Sequence, residues 1–286
     1  MNKKVLGKYD VSVSKYLPQV SEGTYIPKII HQTFMSKNLP LELQKNVENL
    51  KKLNPDWVYQ LYDDNDIRTF IIKNYGLSVL DYYEKINSNY GAAKADMFRY
   101  LVMYKCGGVY LDIKSTCIYP LNDILKADDK YILSQWRNKS GEPHPGYGMS
   151  KEVADVEGGE YQQWHIIAVA GHPFLKAVIE SVISNIEKYR PWINGTGGIG
   201  VLRLTGPLVY TLAIQPLLSK AQYRLIGNET ALGLQYSVYT TTHHRSVYKT
   251  NYSLLTESII QMDGFKSVIA NLYSLIKKSK HIVFGR

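Results

Sequence analysis

Two hydrophobic spacings alternate along the chain, one typical of buried strands and the other of helices. Short apolar runs bounded by polar, Gly or Pro residues predict strands over 25–31, 57–62, 109–111, 130–136, 162–170, 223–226 and 235–239. Apolar residues at every third or fourth position predict helices over 40–53, 67–75, 78–86, 92–105, 173–188 and 208–218. Strands that alternate with helices over the first half favour an α/β fold with a mostly parallel sheet.

The stretch Gly91–Ser115, GAAKADMFRYLVMYKCGGVYLDIKS, is the most informative part of this pattern. Its first part predicts a helix with one apolar face. Gly107 and Gly108 follow, and glycine readily adopts the left-handed conformation that ends many helices. A short strand then delivers Asp112 and Lys114, and strand geometry would point both side chains to the same side.

Four charged side chains come together in this stretch. Asp96 and Arg99 are one helical turn apart, and Asp112 and Lys114 follow the next strand. Open α/β sheets bind ligands beyond the carboxyl ends of their strands, so this group predicts a site for a charged, hydroxyl-rich ligand. The alternative is an ordinary exposed ion pair between Asp96 and Arg99, with Asp112 opening a turn.

The net charge of +9 is concentrated at the two ends of the chain. Residues 1–28 carry +3, residues 264–286 carry +5, and residues 29–263 carry +1. A nucleic-acid enzyme should carry its positive charge at its working surface, so no nucleic-acid partner is predicted. Basic ends indicate either solvated tails or peripheral contact with an anionic membrane. The spacing of apolar residues in 264–286 predicts a basic amphipathic helix whose apolar stripe docks on the protein, with membrane contact as the alternative.

Composition is that of an ordinary globular protein. Of the 286 residues, 45% are hydrophobic and 21% are charged. We expect no membrane-spanning helix, because no apolar run approaches about 20 residues, and no secretion signal. The two cysteines, Cys106 and Cys117, are too few for a disulfide framework. These features predict a cytoplasmic protein.

The central stretch resembles the signature of glycosyltransferase family 32, the sugar transferases that contain a DXD motif. Further segments are similar to other landmarks of that family and occur in the same order: 26–34, 54–57, 171–174, 205–207 and 243–244. The resemblance implies a GT-A type nucleotide-sugar transferase fold with a mostly parallel sheet flanked by helices and a helical C-terminal addition. We expect an N-terminal arm over 1–22, a GT-A catalytic domain over 23–263, and a basic amphipathic C-terminal helix and tail over 264–286.

The resemblance implies an enzyme, a retaining hexosyltransferase that depends on a nucleotide sugar. It would move a sugar from a UDP- or GDP-sugar to a glycan, lipid-linked or protein acceptor, as in polysaccharide biosynthesis. Residues 137–160, which are rich in Gly and Pro, and residues 190–204 are expected to form loops that choose the acceptor.

The same resemblance assigns roles to individual side chains. Thr33 and Phe34 would bind the donor, with the Phe34 ring on its base; the alternative for Phe34 is a core position. Asp96 and Arg99 would hold sugar or ribose hydroxyls, and Asp112 would accept hydrogen bonds from such hydroxyls or bind a metal. Gln163 would lie near the reacting face of the sugar. The predicted catalytic residues are Asp112, Lys114, Arg99 and Gln163.

One position departs from the family pattern. The usual Asp-x-Asp is Asp112-Ile113-Lys114 here, and a protonated lysine cannot bind a metal ion. In one hypothesis, Mn²⁺ or Mg²⁺ is held by Asp112, the donor diphosphate, water and one of His243 or His244. In the other, Lys114 itself supplies the positive charge at the phosphates and no metal is needed.

The metal hypothesis is favoured because a single ammonium neutralises less charge than a divalent ion. Lys114 also leaves an alternative function open. The protein could be a catalytically impaired relative that binds sugar nucleotides or glycans.

Overall fold

Helices and strands alternate in the computed structural model, which describes residues 17–239 and 251–284. The strands are β1 (Ile29–Thr33), β2 (Val58–Tyr62), β3 (Gly108–Leu111), β4 (Thr116–Cys117), β5 (Tyr131–Ser134), β6 (His165–Ala168), β7 (Arg224–Ile226) and β8 (Leu234–Gln235). The α-helices are α1 (Leu41–Leu53), α2 (Asp64–Tyr75), α3 (Leu77–Lys85), α4 (Gly91–Cys106), α5 (Leu121–Ile124), α6 (Pro173–Lys188), α7 (Pro191–Asn194), α8 (Gly197–Leu204), α9 (Pro207–Ile214) and α10 (Gly264–Phe284). Short 3-10 helices cover Lys151–Val153, Gln215–Leu217, Glu229–Leu232 and Tyr252–Leu254.

Six strands form the central sheet, in the order β2-β1-β3-β6-β5-β7. β1 pairs in parallel with β2 and β3, and β5 pairs in parallel with β7. β6 lies between β3 and β5 and runs antiparallel to both, so five of the six strands point the same way. This mostly parallel sheet with its flanking helices and the C-terminal helix α10 confirms the predicted α/β fold class.

Helix α4 is enclosed on all sides. Its nine consecutive residues from Asp96 to Tyr104 are all buried. The helix contacts α2, α6 and α8 as well as the strands β3 and β6. The prediction of a helix here is confirmed, but the expectation of a single apolar face is wrong, since a helix buried all round needs no polar side.

Two glycines let the chain turn directly from α4 into β3. Gly107 and Gly108 have φ values of 67° and 103°, which side-chain-bearing residues rarely adopt. A Cβ atom on Gly107 would lie 2.5 Å from the backbone nitrogen of Ala170, and one on Gly108 would lie 2.5 Å from the carbonyl oxygen of Ile29. Backbone therefore packs on backbone at this turn, and α4 lies back along the strand that follows it.

Three local expectations need correction. β3 ends at Leu111, and the Ser115 amide donates to the Asp112 carbonyl over 2.7 Å, so residues 112–115 form a turn rather than a continued strand. Residues 190–204 are largely helical, in α7 and α8, rather than a loop. The predicted helix 208–218 is divided into α9 and a 3-10 helix.

The apolar stretch Gly197–Leu217 is long enough to cross a membrane by length and composition, with a mean hydropathy of 1.3. The expectation that the chain holds no such stretch is therefore wrong. In the folded protein 67% of it is buried, and Thr205 and Gly206 separate it into α8 and α9.

Candidate active site

The lengths of α4 and β3 place Arg99 beside Asp112. Arg99 lies seven residues before the end of α4, a distance of about 10 Å along a helix that rises 1.5 Å per residue. β3 has four residues and covers about the same distance in the opposite direction. Arg99 and the end of β3 are therefore level, at the carboxyl edge of the parallel strands.

Arg99 connects three neighbouring groups through its guanidinium. Its Nη2 lies 2.8 Å from Oδ1 of Asp112 and 3.3 Å from Oδ1 of Asp96. Its Nη1 donates to the backbone and side-chain oxygens of Gln163, both at 2.7 Å. The Tyr110 ring centroid lies 4.8 Å from the guanidinium carbon, a distance suited to cation–π contact. Asp96, Arg99 and Asp112, three of the four charged residues grouped from the sequence, thus lie together with Gln163, and their roles toward a ligand stay predictions.

Arg99 and Asp96 are buried, which excludes the exposed surface ion pair weighed from the sequence. Both side chains are only 5% exposed, whereas Asp112 keeps 24% of its side chain accessible. Burial alone would lower the pKa of Arg99, but the Asp112 and Asp96 carboxylates outweigh it and raise that pKa. The guanidinium stays charged, and Asp112 is the member of this group with the most access to a ligand.

Asp96 is satisfied from inside the protein. Its two oxygens accept hydrogen bonds from Nε2 of Gln163 and from Oγ1 of Thr205, each at 3.0 Å. Burial raises its pKa to about 6, although Arg99 and these two donors act in the opposite direction. Asp96 therefore orients Arg99 and Gln163, and its predicted contact with sugar hydroxyls stays a prediction.

Gln163 is held at both ends of its amide. Its Oε1 accepts from Arg99 and its Nε2 donates to Asp96. The antiparallel pairing of β3 and β6 brings it here, because the Asp112 amide extends the ladder by donating to the Trp164 carbonyl at 2.8 Å. Residues that precede β6 thus meet residues that follow β3.

Lys114 lies against a segment that crosses the site from the far end of the chain. Its Nζ is 4.0 Å from the ring centroid of Tyr236. The Lys114 carbonyl accepts from the Val238 amide at 2.8 Å, and Oγ of Ser115 donates to the Tyr236 carbonyl at 2.7 Å. The turn after β3 and residues 236–238 are therefore fixed to each other.

The resemblance implies a divalent metal at Asp112. Within residues 17–239 and 251–284, no three His, Cys, Asp or Glu side chains are grouped so as to hold a metal ion. Asp112 is already paired with Arg99, and Lys114 adds a cation where the family pattern has a carboxylate. His243 and His244 lie outside the described residues. Asp112, whose carboxylate is partly exposed, is the described residue of this group that suits a metal ion, and its predicted pairing with His243 or His244 stays a prediction.

The end of β1 lies beside the same edge. Nε2 of Gln32 donates to the Asp112 carbonyl at 3.1 Å, and Oγ1 of Thr33 lies 3.1 Å from the Tyr110 hydroxyl. Phe34 is half-buried and packs against the small cluster of buried residues that includes Ile113. Thr33 and Phe34 are thus near Asp112, and the Phe34 ring serves partly as a core residue.

Sequence reasoning missed several residues of this site. Tyr110, Thr205 and Gln32 fix the charged group from three different elements. Burial and, to a smaller extent, the charges of Asp96, Tyr236 and Asp112 raise the pKa of the Tyr252 hydroxyl. Gln32 and Thr205 lie in the segments 26–34 and 205–207 that resemble family landmarks, but sequence reasoning assigned neither a role; Tyr252 gave no signal.

Residues 137–160 contact this site through aromatic rings. The Trp136 ring centroid lies 5.2 Å from that of Tyr236, 5.0 Å from that of His144 and 5.6 Å from that of Tyr147. The same Tyr236 ring contacts the ammonium group of Lys114. The predicted acceptor loop therefore borders the charged group, across a partly exposed aromatic surface.

Comparison with known proteins finds a family match over part of the chain. Residues 40–131 match the family described as glycosyltransferase sugar-binding region containing DXD motif, which confirms the resemblance stated from the sequence. Inositol phosphoceramide mannosyltransferase 3 of Schizosaccharomyces pombe is 28% identical over 195 residues, which are 67% of this chain and 46% of that protein. The initiation-specific alpha-1,6-mannosyltransferase of the same yeast is 27% identical over 206 residues, 68% of this chain and 49% of that protein. The chain thus spans about half the length of these curated relatives.

Among solved structures, the chain is similar to the UDP-bound glycosyltransferase domain of the YGT toxin. The two share 9% sequence identity with a TM-score of 0.47, over 90% of this chain and 91% of that one.

Proposed function

Residues 40–131 of this chain belong to the glycosyltransferase family whose sugar-binding region contains a DXD motif, and from that premise we propose that the chain transfers a hexose from a nucleotide-diphosphate sugar. The observation that carries the proposal is the buried Arg99, which joins Asp112 to Asp96 and Gln163 at the carboxyl edge of the sheet. A fixed cation beside a half-exposed carboxylate suits a ligand that presents many hydroxyls.

Asp112 is proposed to bind the donor through its carboxylate. Arg99 holds one carboxylate oxygen, and the partly exposed side chain leaves room for hydroxyls of the sugar or ribose to donate to it. Because Asp96, Gln163 and Tyr110 hold the guanidinium in place, Asp112 is oriented before the donor arrives. Such preorganisation reduces the reorganisation needed during the reaction. Asp96 and Gln163 act as positioning residues for this carboxylate.

The leaving diphosphate needs positive charge. Lys114 follows Asp112 by two residues and carries an ammonium against the Tyr236 ring, where it can approach phosphate oxygens. A divalent metal, when bound, would neutralise the diphosphate directly, and Asp112 is the described carboxylate that would hold it. We propose transfer with retention of configuration on the family resemblance.

The acceptor is proposed to be a glycan or lipid-linked glycan that receives mannose. Two relatives carry the names inositol phosphoceramide mannosyltransferase and initiation-specific alpha-1,6-mannosyltransferase; both names specify mannose, and the first also names a lipid. The aromatic surface of Trp136, Tyr147 and Tyr236 borders the donor residues and offers flat apolar faces to a sugar ring.

A second candidate function follows from Lys114. With an ammonium in place of the second carboxylate, the chain could bind a nucleotide sugar without turning it over. Binding and turnover are separate measurements, so the two functions can be distinguished.

The test is a thermal-shift panel of UDP- and GDP-sugars, each with Mn²⁺, Mg²⁺ or a chelator, followed by measurement of donor hydrolysis. We expect one donor to raise Tm, Asp112→Asn to abolish that shift, and the free sugar to accumulate with the wild type. Asp123→Asn, an exposed carboxylate on α5, is the matched control. A shift without hydrolysis or transfer would establish the binding function instead, and no shift with any donor would refute both.

A further inference from the structure

The C-terminal helix α10 packs against the protein through its small and polar side. Ala270 is buried, and Nζ of Lys277 donates to Oγ1 of Thr196 at 2.7 Å. Oγ of Ser274 lies 3.3 Å from Oγ1 of Thr256. Ala270, Ser274 and Lys277 follow one another at spacings of four and three, so they form one stripe along the helix.

The opposite side of α10 is apolar and faces solvent. Phe265 is 77% exposed and Leu275 is 63% exposed. The other exposed apolar residues of this side are Val268, Leu272 and Ile276. At 100° per residue, the centre of this group lies about 180° from the stripe that contacts the protein. The expectation that the apolar stripe docks on the protein is therefore wrong. The small and polar side of α10 packs on the protein, and its apolar side faces solvent.

The helix next to α10 carries further exposed apolar residues. The short helix α7 contacts α10, and its Trp192 and Ile193 are exposed. We call Phe265, Val268, Leu272, Leu275, Ile276, Trp192 and Ile193 the apolar C-terminal face. Exposed apolar residues grouped on adjoining helices are typical of an interaction site.

Charge argues against an occupant from the chain itself. Residues 264–286 carry five basic residues and no acidic one, which gives +5. Of the segments outside the described residues, 1–16 carries +3 and 240–250 carries +2. A second copy docked on the same face would bring +5 against +5. Each of these would add repulsion to the contact, whereas an anionic surface would add attraction.

We propose that the apolar C-terminal face binds the surface of an anionic bilayer. The aliphatic side chains would enter the boundary between headgroups and acyl chains, and Trp192 would lie at the headgroup level. The exposed Lys266 and Lys278 lie on the two sides of the packed stripe, about 110–130° from the centre of the apolar side, and their long side chains would extend toward the lipid phosphates. A bilayer matches this face better than a folded partner would, because an aliphatic stripe needs no hydrogen-bonding complement. This inference concerns α10 and does not depend on the proposed transfer reaction.

Co-sedimentation of the full chain with vesicles tests the proposal without any activity measurement. Vesicles of phosphatidylcholine alone are compared with vesicles that also contain phosphatidylserine, at two salt concentrations. The test variant is Leu272→Ser with Leu275→Ser and Ile276→Ser, which changes exposed positions and leaves the packed stripe intact. The matched control is Leu77→Ser, which is 66% exposed on α3. Lys266→Gln and Lys278→Gln test the charge.

We expect binding to the anionic vesicles that weakens as salt rises. The triple variant should bind on the order of a hundredfold more weakly, each lysine variant about fivefold more weakly, and Leu77→Ser as the wild type. Circular dichroism checks that the triple variant is folded. No binding to anionic vesicles, or equal binding by the wild type and the folded triple variant, would overturn the proposal. A wild-type dimer that the triple variant converts to a monomer would overturn it in favour of a second copy.

Discussion

Nη2 of Arg99 lies 2.8 Å from Oδ1 of Asp112, and this pair joins the central helix to the strand that follows it. Arg99 is buried, and its other contacts are with Asp96, Gln163 and Tyr110. The direction in which Asp112 points is therefore decided inside the protein, before any ligand binds.

Arg99→Lys should lower kcat/KM by about a hundredfold or more, because a lysine cannot bridge Asp112, Asp96 and Gln163 with one planar group. Steady-state kinetics with the donor identified by thermal shift would measure the loss. Arg68→Lys, an exchange at an exposed ion pair with Glu84, is the control and should change kcat/KM less than twofold. Activity of Arg99→Lys within threefold of the wild type would contradict the proposed role.

Asp96 should make the folded state less stable as pH rises from about 4 to about 6. Burial raises the pKa of Asp96 from 3.8 to about 6. Between these values the folded protein binds more protons than the unfolded chain, so the free energy of unfolding falls as pH rises, by up to roughly 3 kcal/mol. Asp96→Asn should remove this part of the slope in urea denaturation at pH 4.5, 5.5, 6.5 and 7.5. A slope equal to that of the wild type would show that Asp96 does not titrate in this range.

Lys114→Asp should restore a metal-binding pair and reduce the Mn²⁺ concentration for half-maximal activity about tenfold, since an ammonium is replaced by a carboxylate ligand. Lys114→Gln is the matched variant that removes the charge without adding a ligand. The wild type should lose activity in excess chelator and regain it with Mn²⁺. Wild-type activity that survives chelator but is lost in Lys114→Gln would show that the lysine itself serves the phosphates.

Gly107→Ala should destabilise the protein by about 3 kcal/mol or more, because alanine is strained at a φ of 67° and its Cβ would lie 2.5 Å from the Ala170 nitrogen. Gly91→Ala is the control: nothing lies within 4 Å of a Cβ there, and Gly91 begins α4. That change should be neutral or stabilising by up to about 1 kcal/mol. Equal urea midpoints for the two variants would contradict the close backbone contact at Gly107.

Periodicity was sufficient to find most elements. Helix α6 begins and ends at the predicted residues, and α4 extends one residue beyond its prediction at each end. Hydrophobic periodicity does not predict burial in a helix such as α4, which has no exposed side. The charges of Asp96 and Arg99 indicate a polar flank, but both side chains are buried because they neutralise each other. β3 ends at Leu111 as predicted, and the turn that follows, weighed from the sequence only as the alternative, forms because the Asp112 carbonyl accepts from the Ser115 amide.

The parts of the site contributed by distant segments were beyond sequence reasoning. Thr205 is 109 residues from Asp96, and no spacing rule joins them. The orientation of α10 was also beyond it, because a helical pattern shows that an apolar stripe exists but not which side the protein covers. Family resemblance placed Gln163 near the sugar, and the structure adds that Arg99 and Asp96 hold its amide.

Because β6 is antiparallel to β3, the position of Gln163 depends on the pairing of these two strands and not on the segment 137–160. Register with β3 fixes where β6 begins, through the pairing of Leu111 with His165. Residues 137–160 lie between β5 and β6 and belong to neither strand. A change in their length or sequence therefore need not displace Gln163. The proposed donor-binding residues and the proposed acceptor-facing segment are in this sense separable, and exchanging 137–160 between relatives is expected to change the acceptor while Gln163 keeps its place.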